Sequence, residues 1–173
     1  VFFIYTLEDT VRIPPKMFGK PLAKSVYSIL QERYNSKIDP RLGHVVMTFS
    51  IKVDGSGLVS SNGTTVHKVQ FDALVFHPKA HEIVRGEIIE MADFGAFVRI
   101  GSTDAVLHLS QISHGASVDV KAGTIRIGGG KSTLRIGSRV RSRISAVSMS
   151  KDSSIKIGLT CSEPTLGPED WNP

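Results

Sequence analysis

The sequence predicts an α+β chain in two parts: a small unit with one helix on an antiparallel sheet, then a five-stranded antiparallel β-barrel. Three observations predict it. Residues 1 to about 80 contain a single run of helical periodicity among strand-like runs. The next ~80 residues hold five short strand-like runs with glycines at their bends. Between them His77-Pro78-Lys79 interrupts the pattern. The expected limits are 1–80, 81–162 and a loosely ordered Pro/Gly-containing tail at 163–173.

Phe2 to Val11 is apolar and β-prone, and Arg12-Ile13-Pro14-Pro15 ends it, because proline cannot donate to a ladder. A helix follows, with Pro21 at a first helical position. Leu22, Val26, Ile29, Leu30 and Tyr34 recur at offsets of three and four, and Asn35 is a suitable stop. Val45–Val53 and Val66–Phe76 read as strands, joined by a glycine-rich tip from Asp54 to Gly63. Strand, helix, strand, strand packs the helix on an antiparallel sheet. The expected core of this unit is Ile4, Leu22, Val26, Ile29, Leu30, Val46, Phe49, Ile51, Leu74 and Phe76.

The barrel strands are expected at Ile83–Met91, Ala96–Ile100, Ala105–Leu109, Val140–Val147 and Ile155–Leu159, the spacing of an OB-type closed barrel. Ser113 to Thr133 is long for a connection and is expected to be an extended loop or hairpin inserted between the third and fourth strands.

A chain of 173 residues with 40% hydrophobic content can bury a core in each of two small domains. A single cysteine, Cys161, excludes an internal disulfide framework and a four-cysteine zinc site, and suggests a reducing compartment. No apolar run approaches the ~20 residues of a membrane span, and the first residues lack the basic flank of a secretory signal. Membrane partners are therefore not expected, and neither is a cofactor. The formal charge of +5 leaves anionic partners open. Its distribution is sharper: Lys121, Arg126, Lys131, Arg135, Arg139, Arg141, Arg143, Lys151 and Lys156 face one acid, Asp152, whereas Val84 to Asp104 is mostly acidic.

Phe94 and Phe97 flank Gly95-Ala96, so a bend at Gly95 can bring both rings to one barrel surface, where exposed rings stack bases of any sequence. The same spacing also fits two core rings. His108 in Leu107-His108-Leu109 points outward by alternation, as a base or phosphate contact or as an ordinary surface histidine. Arg139, Arg141 and Arg143 alternate, so they share one face. With Lys131 and Lys151 they either track a phosphate backbone or form a solvated strand face.

Other patterns fail on geometry. Gly128-Gly129-Gly130-Lys131-Ser132 lacks the first glycine of a phosphate loop and precedes a strand rather than a helix. His77 and His81 lie on a proline-broken linker without a cysteine pair, so no metal site is expected. Asp104, His108 and Ser110 lack a nucleophile turn and an oxyanion site.

Gly86, Phe94-Gly95-Ala96-Phe97-Val98, His108-Leu109-Ser110 and the strands ending in Ile155–Thr160 resemble the ribosomal-protein S-one type of RNA-binding OB-fold. Ala105 stands where that family usually has glycine, and Ser148 near where many members carry an acid. Arg12 to Gly19, the helix, the Gly-x-Gly tip loop and the Phe71-Asp72-Ala73-Leu74-Val75-Phe76 strand extend the likeness. With them, nearly the whole chain resembles the archaeal RNA polymerase stalk subunits called E-prime, counterparts of the larger eukaryotic stalk subunit. The resemblance implies a truncated ribonucleoprotein-like first domain that docks on the polymerase core through Pro14, Pro15, Phe18 and the Gly55, Gly57 and Gly63 tip loop. It also implies a heterodimer with a small helical stalk subunit, and a barrel that binds single-stranded RNA. The subunit would be non-catalytic and cytoplasmic. A free-standing OB-fold RNA-binding factor of translation or RNA decay is the alternative. On the residues alone, Ile13-Pro14-Pro15 also fits a rigid turn and the tip loop an ordinary hairpin connection.

Overall fold

The computed structural model describes residues 1–113, 115–127, 132–150 and 154–168. Gly128–Lys131 and Lys151, which carry the expected phosphate contacts Lys131 and Lys151, lie outside the described residues. The chain divides into two compact units, Phe2–His77 and Pro78–Pro173 with Val1.

The first unit runs β1 (Phe2–Ile13), a 3-10 turn (Pro15–Met17), α1 (Leu22–Tyr34), β2 (Ile38–Asp39), β3 (Gly43–Val53), β4 (Leu58–Val59) and β5 (Thr65–Phe76). Its sheet has the order β1-β5-β3-β2, antiparallel throughout, with β4 also on β5. Pro21 caps α1 in an extended conformation rather than starting it, and extended Asn35 ends it. Val26 and Leu30 press onto Val11, Ile13, Val45, Val69, Phe71, Ala73 and Val75. Burying a phenyl such as Phe71 contributes roughly 2–3 kcal/mol. At the end of α1, Tyr34 packs on Phe71 with ring centroids 5.0 Å apart, and its hydroxyl donates to Asp9 Oδ2 at 2.8 Å. Arg33 donates to the same carboxylate. Burial raises the Asp9 pKa, but the bonds from Tyr34, the Thr10 backbone and Arg33 outweigh it and hold the carboxyl below its ordinary value.

This core corrects the sequence-based list. Ile4 is 63% exposed and Leu22 36%, while Val46, Phe49, Ile51 and Leu74 are only half-buried. The consecutive apolar residues Phe2-Phe3-Ile4-Tyr5 carry no alternation from which to choose a face, and the structure turns the odd-numbered side chains of β1 inward. On β3, the register shifts between Val45 and Met47 and again between Phe49 and Lys52, with Ser50 in the left-handed region at φ 52°. Each bulge reverses the parity that simple alternation assumes.

The second unit is a closed barrel. Strands β6 (Ile83–Ala92), β7 (Gly95–Ile100) and β8 (Thr103–His108) form a meander, followed by an inserted sheet of β9 (Ser117–Asp119), β10 (Thr124–Ile127) and β11 (Ser132–Arg135). Then come β12 (Arg139–Met149), β13 (Ile155–Thr160) and β14 (Gly167–Pro168). The order β13-β8-β7-β6-β12-β14, with β13 also on β12, closes five strands into a cylinder. Pairing is antiparallel except where β13 meets β8 in parallel, at Gly158 with Val106 and Leu159 with Leu107. Gly95 permits the close approach of β7 and β8: at φ 153°, a Cβ there would lie 2.1 Å from the Leu107 carbonyl oxygen.

The insertion is thus a three-stranded sheet, more than the expected loop or hairpin, and Leu134 belongs to it with Ile125 and Ile127 in its buried face. The tail also departs from expectation. Through Pro168 it is ordered, because Gly167 and Pro168 extend the sheet beside β12 and Leu166 is buried.

Candidate nucleic-acid interface

The turn from β6 to β7 and the end of β8 bring three rings together. Gly95 pairs with His108 and Phe97 with Val106, so Phe97 and His108 point away from a barrel interior filled by Ala96, Val98, Ala105 and Leu107. The Leu109 N–H donates to the Phe94 carbonyl at 2.9 Å, which fixes the turn against the strand end. Phe94 is 42% exposed and meets Phe97 edge to face at 5.8 Å. His108 lies nearly parallel to Phe94, 11° between planes with centroids 6.5 Å apart. Phe97 is half-buried, so neither phenyl ring is sealed in the core, and an exposed ring such as Phe94 can hold a base by roughly 1–3 kcal/mol.

The imidazole orientation has a cause that the sequence reading did not identify. His108 Nδ1 accepts from the Ser110 N–H at 3.2 Å and lies 2.8 Å from Ser110 Oγ. A ring nitrogen that accepts is unprotonated, which leaves Nε2–H as the outward donor. Asp104 takes no part, since Arg99 grips it through Nε at 2.8 Å and Nη2 at 3.2 Å. The spacing of Asp104, His108 and Ser110 is accordingly no proton relay.

Arg139, Arg141 and Arg143 do share the outer face of β12, alternating with buried Val140, Ser142 and Ile144. They are unequal in their surroundings. Arg139 is the register partner of Glu87, which is in turn opposite Arg99, so charges alternate in sign across the strands from Asp104 to Arg139. Arg141 is the register partner of Arg85. Arg143 is bonded to Glu163. Glu163 arrives with the ordered tail, and nothing local to Arg143 in the sequence signals it. Ser148 is exposed, with exposed Lys156 as its neighbour on β13.

The expected docking residues gather at the other unit's hairpin. Phe18 is 51% exposed and, with Ile13, Met17 and Leu22, lines a cavity of about 170 Å³. Gly63 turns the tip at φ 75°, and a Cβ there would sit 3.6 Å from Pro15 Cγ, so the Pro14-Pro15 corner stands at the hairpin. Gly55 has open space around it, whereas Gly57 lies directly on the His67 ring. Beyond it Leu58 and Val59 are 76% and 74% exposed. Among the described residues, no group of three His, Cys, Asp or Glu side chains is placed to hold a metal ion.

Similarity to known proteins follows the same division. Residues 8–64 match the family described as the SHS2 domain found in the N terminus of Rpb7p/Rpc25p/MJ0397, and residues 77–158 match the S1 RNA binding domain. The chain is 32% identical to DNA-directed RNA polymerase subunit Rpo7 of Sulfolobus acidocaldarius over 99% of its own length and 94% of that protein. It is 35% identical to Rpo7 of Saccharolobus shibatae, covering 93% of the chain and 91% of the relative. A more distant likeness, 32% over 62% of the chain and 53% of the relative, is to DNA-directed RNA polymerase III subunit RPC8 of Bos taurus.

Proposed function

Because the chain belongs to the family of archaeal DNA-directed RNA polymerase subunit Rpo7, we propose that it is a non-catalytic stalk subunit, attached through its first unit and binding nascent single-stranded RNA on its barrel. In this reading it works in the cytoplasm, paired with a small helical stalk subunit, and nucleotidyl transfer takes place elsewhere in the enzyme. The observation that carries the RNA half is the surface cluster of exposed Phe94 and His108 with half-buried Phe97 on an S1-type barrel.

The chemistry suits retention without sequence choice. Stacking on the rings accepts any base, the Nε2–H of His108 offers one donor to an oxygen, and Arg139 and Arg141 supply phosphate attraction further along the same outer face of the barrel. Alternating charge from Asp104 to Arg139 keeps that attraction moderate, which fits a strand that has to keep sliding. Attachment rests on the exposed tip and the Pro14-Pro15-Phe18 corner. Kinship along nearly the full length to polymerase subunits favours this reading over a free-standing RNA-binding factor.

The test is a low-salt filter-binding titration of the full chain with a short single-stranded RNA. Replacing both rings, Phe94→Ala with Phe97→Ala, is expected to weaken retention about 10- to 100-fold while assembly with the small partner persists. Undiminished RNA affinity would refute the role of the rings.

A further inference from the structure

The hairpin tip is bent by a side chain from beneath. β3 and β4 both pair with β5, and Asp54–Gly57 bulges out between them. His67 of β5 points into that bulge. It continues the inward row of Val69, Phe71, Ala73 and Val75, yet it is a histidine and only 7% exposed.

Two kinds of contact join the ring to the bulge. His67 Nδ1 lies 3.3 Å from the Asp54 carbonyl oxygen, a pure acceptor, so the ring nitrogen donates. At Gly57 the backbone rests on the imidazole: a Cβ there would be 2.3 Å from Cε1, 2.7 Å from Nε2 and 2.9 Å from Nδ1. The bulge is further set by Asp54, whose carboxylate accepts from the Ser56 N–H at 3.3 Å and hydroxyl at 3.0 Å, and whose N–H donates to the Lys68 carbonyl at 2.9 Å. Immediately after Gly57 come Leu58 and Val59, the two most exposed large apolar side chains of the described residues. Exposed apolar groups on a backbone held from below form a preorganised contact, which loses less entropy on binding than a loose loop.

We propose that His67 is the positioning residue of the tip: its imidazole fills the bulge under Asp54–Gly57 and thereby presents Leu58 and Val59 to the polymerase core. The inference rests on the docking role proposed above for the tip. Gly57 is the required counterpart, because any side chain there collides with the ring.

Full-length wild type, Gly57→Ala, His67→Ala and the double variant test it by amide hydrogen exchange and by retention on polymerase lacking its stalk. Either single change is expected to speed exchange of the 54–64 amides about tenfold and to weaken retention by a similar factor. Exchange in the barrel and RNA binding stay unchanged. In the double variant the alanine methyl enters the space the ring vacates, so the losses are no greater than those of one change. Unaltered tip exchange in His67→Ala, or losses that multiply in the double variant, overturns the proposal. If His67→Ala fails to fold, Gly57→Ala alone decides, since unaltered tip exchange there has the same meaning. Leu58→Asp with Val59→Asp separates the two readings: intact retention there removes the docking role, and tip exchange still reports whether His67 holds the bulge.

Discussion

The hairpin tip and the ring cluster both expose large apolar side chains, but they are held in opposite ways. At the tip, the backbone itself is fixed by β5 pairing, the Asp54 cap and the ring of His67, and two aliphatic groups ride on it. On the barrel the backbone is equally regular, but the exposed surface consists of flat rings in contact with one another and of arginines partly matched by acids. Aliphatic groups on a set backbone reward one complementary shape. Flat rings reward any base and release it as readily. The contrast teaches that one chain can present two chemically different exposed surfaces, aliphatic on a set backbone and aromatic on a barrel, with β-structure beneath both; under the proposed function the first would be a lasting seat and the second a passing grip.

The most severe way to break the contrast is to charge the tip. Leu58→Asp with Val59→Asp is expected to lower retention on stalk-free polymerase by about 100-fold or more, since a buried unpaired carboxylate is costly, while RNA binding by the chain stays the same. A parallel fall in RNA affinity would show that the two surfaces are not independent. Next comes the ring pair described above, for which polymerase retention is the complementary readout and is expected not to move.

A smaller effect sharpens the barrel side. Arg139→Ala with Arg141→Ala is expected to reduce the slope of log affinity against log salt by about one to two, whereas Arg143→Ala, already bonded to Glu163, changes it little. Equal slopes for all three arginines would show that the Glu163 pair does not restrain Arg143 in solution.

The smallest effect concerns stability of the first unit alone. Asp9 has a lowered pKa in the folded chain, so its contribution is complete above the unfolded carboxylate value of ~3.9 and is lost as pH falls through the folded value. Asp9→Asn is expected to cost about 1 kcal/mol at neutral pH and to make the first unit less sensitive to acid below the ordinary carboxylate range, measured by exchange of β1 and α1 amides. Barrel cysteine chemistry supplies the control: burial pushes the Cys161 thiol up to about 12, so it should resist alkylation at pH 8 until the barrel opens.

Much of this was legible before any coordinates. The helix was visible because Val26 and Leu30 recur at a helical spacing, and the barrel because short β-prone runs alternate with glycine bends. Phe94-Gly95-Ala96-Phe97 was readable as two rings about a glycine bend; that a Cβ at position 95 would meet the Leu107 carbonyl was not. The inward face of β1 was not, because both faces are apolar near its start. The bulges of β3 were equally hidden, since Ser50 in a left-handed conformation has no strong local signature. His67 did have a signal: it falls on the inward parity of β5, opposite a glycine-rich loop, where a polar ring needs a partner.

By itself the sequence determined which segments become strands or helix, their order, and the motif that carries the rings, because backbone propensity and turn chemistry act over a few neighbouring residues. Only the tertiary structure decided which parity faces inward, that Glu163 neutralises Arg143, that Ser110 orients His108 beside Phe94, and that His67 stands under Gly57. Most of these relations join positions brought close by sheet closure or hairpin pairing. Their energy depends on a geometry that exists only once the strands have paired; at His67, 7% exposed, burial adds the need to satisfy a polar ring away from water.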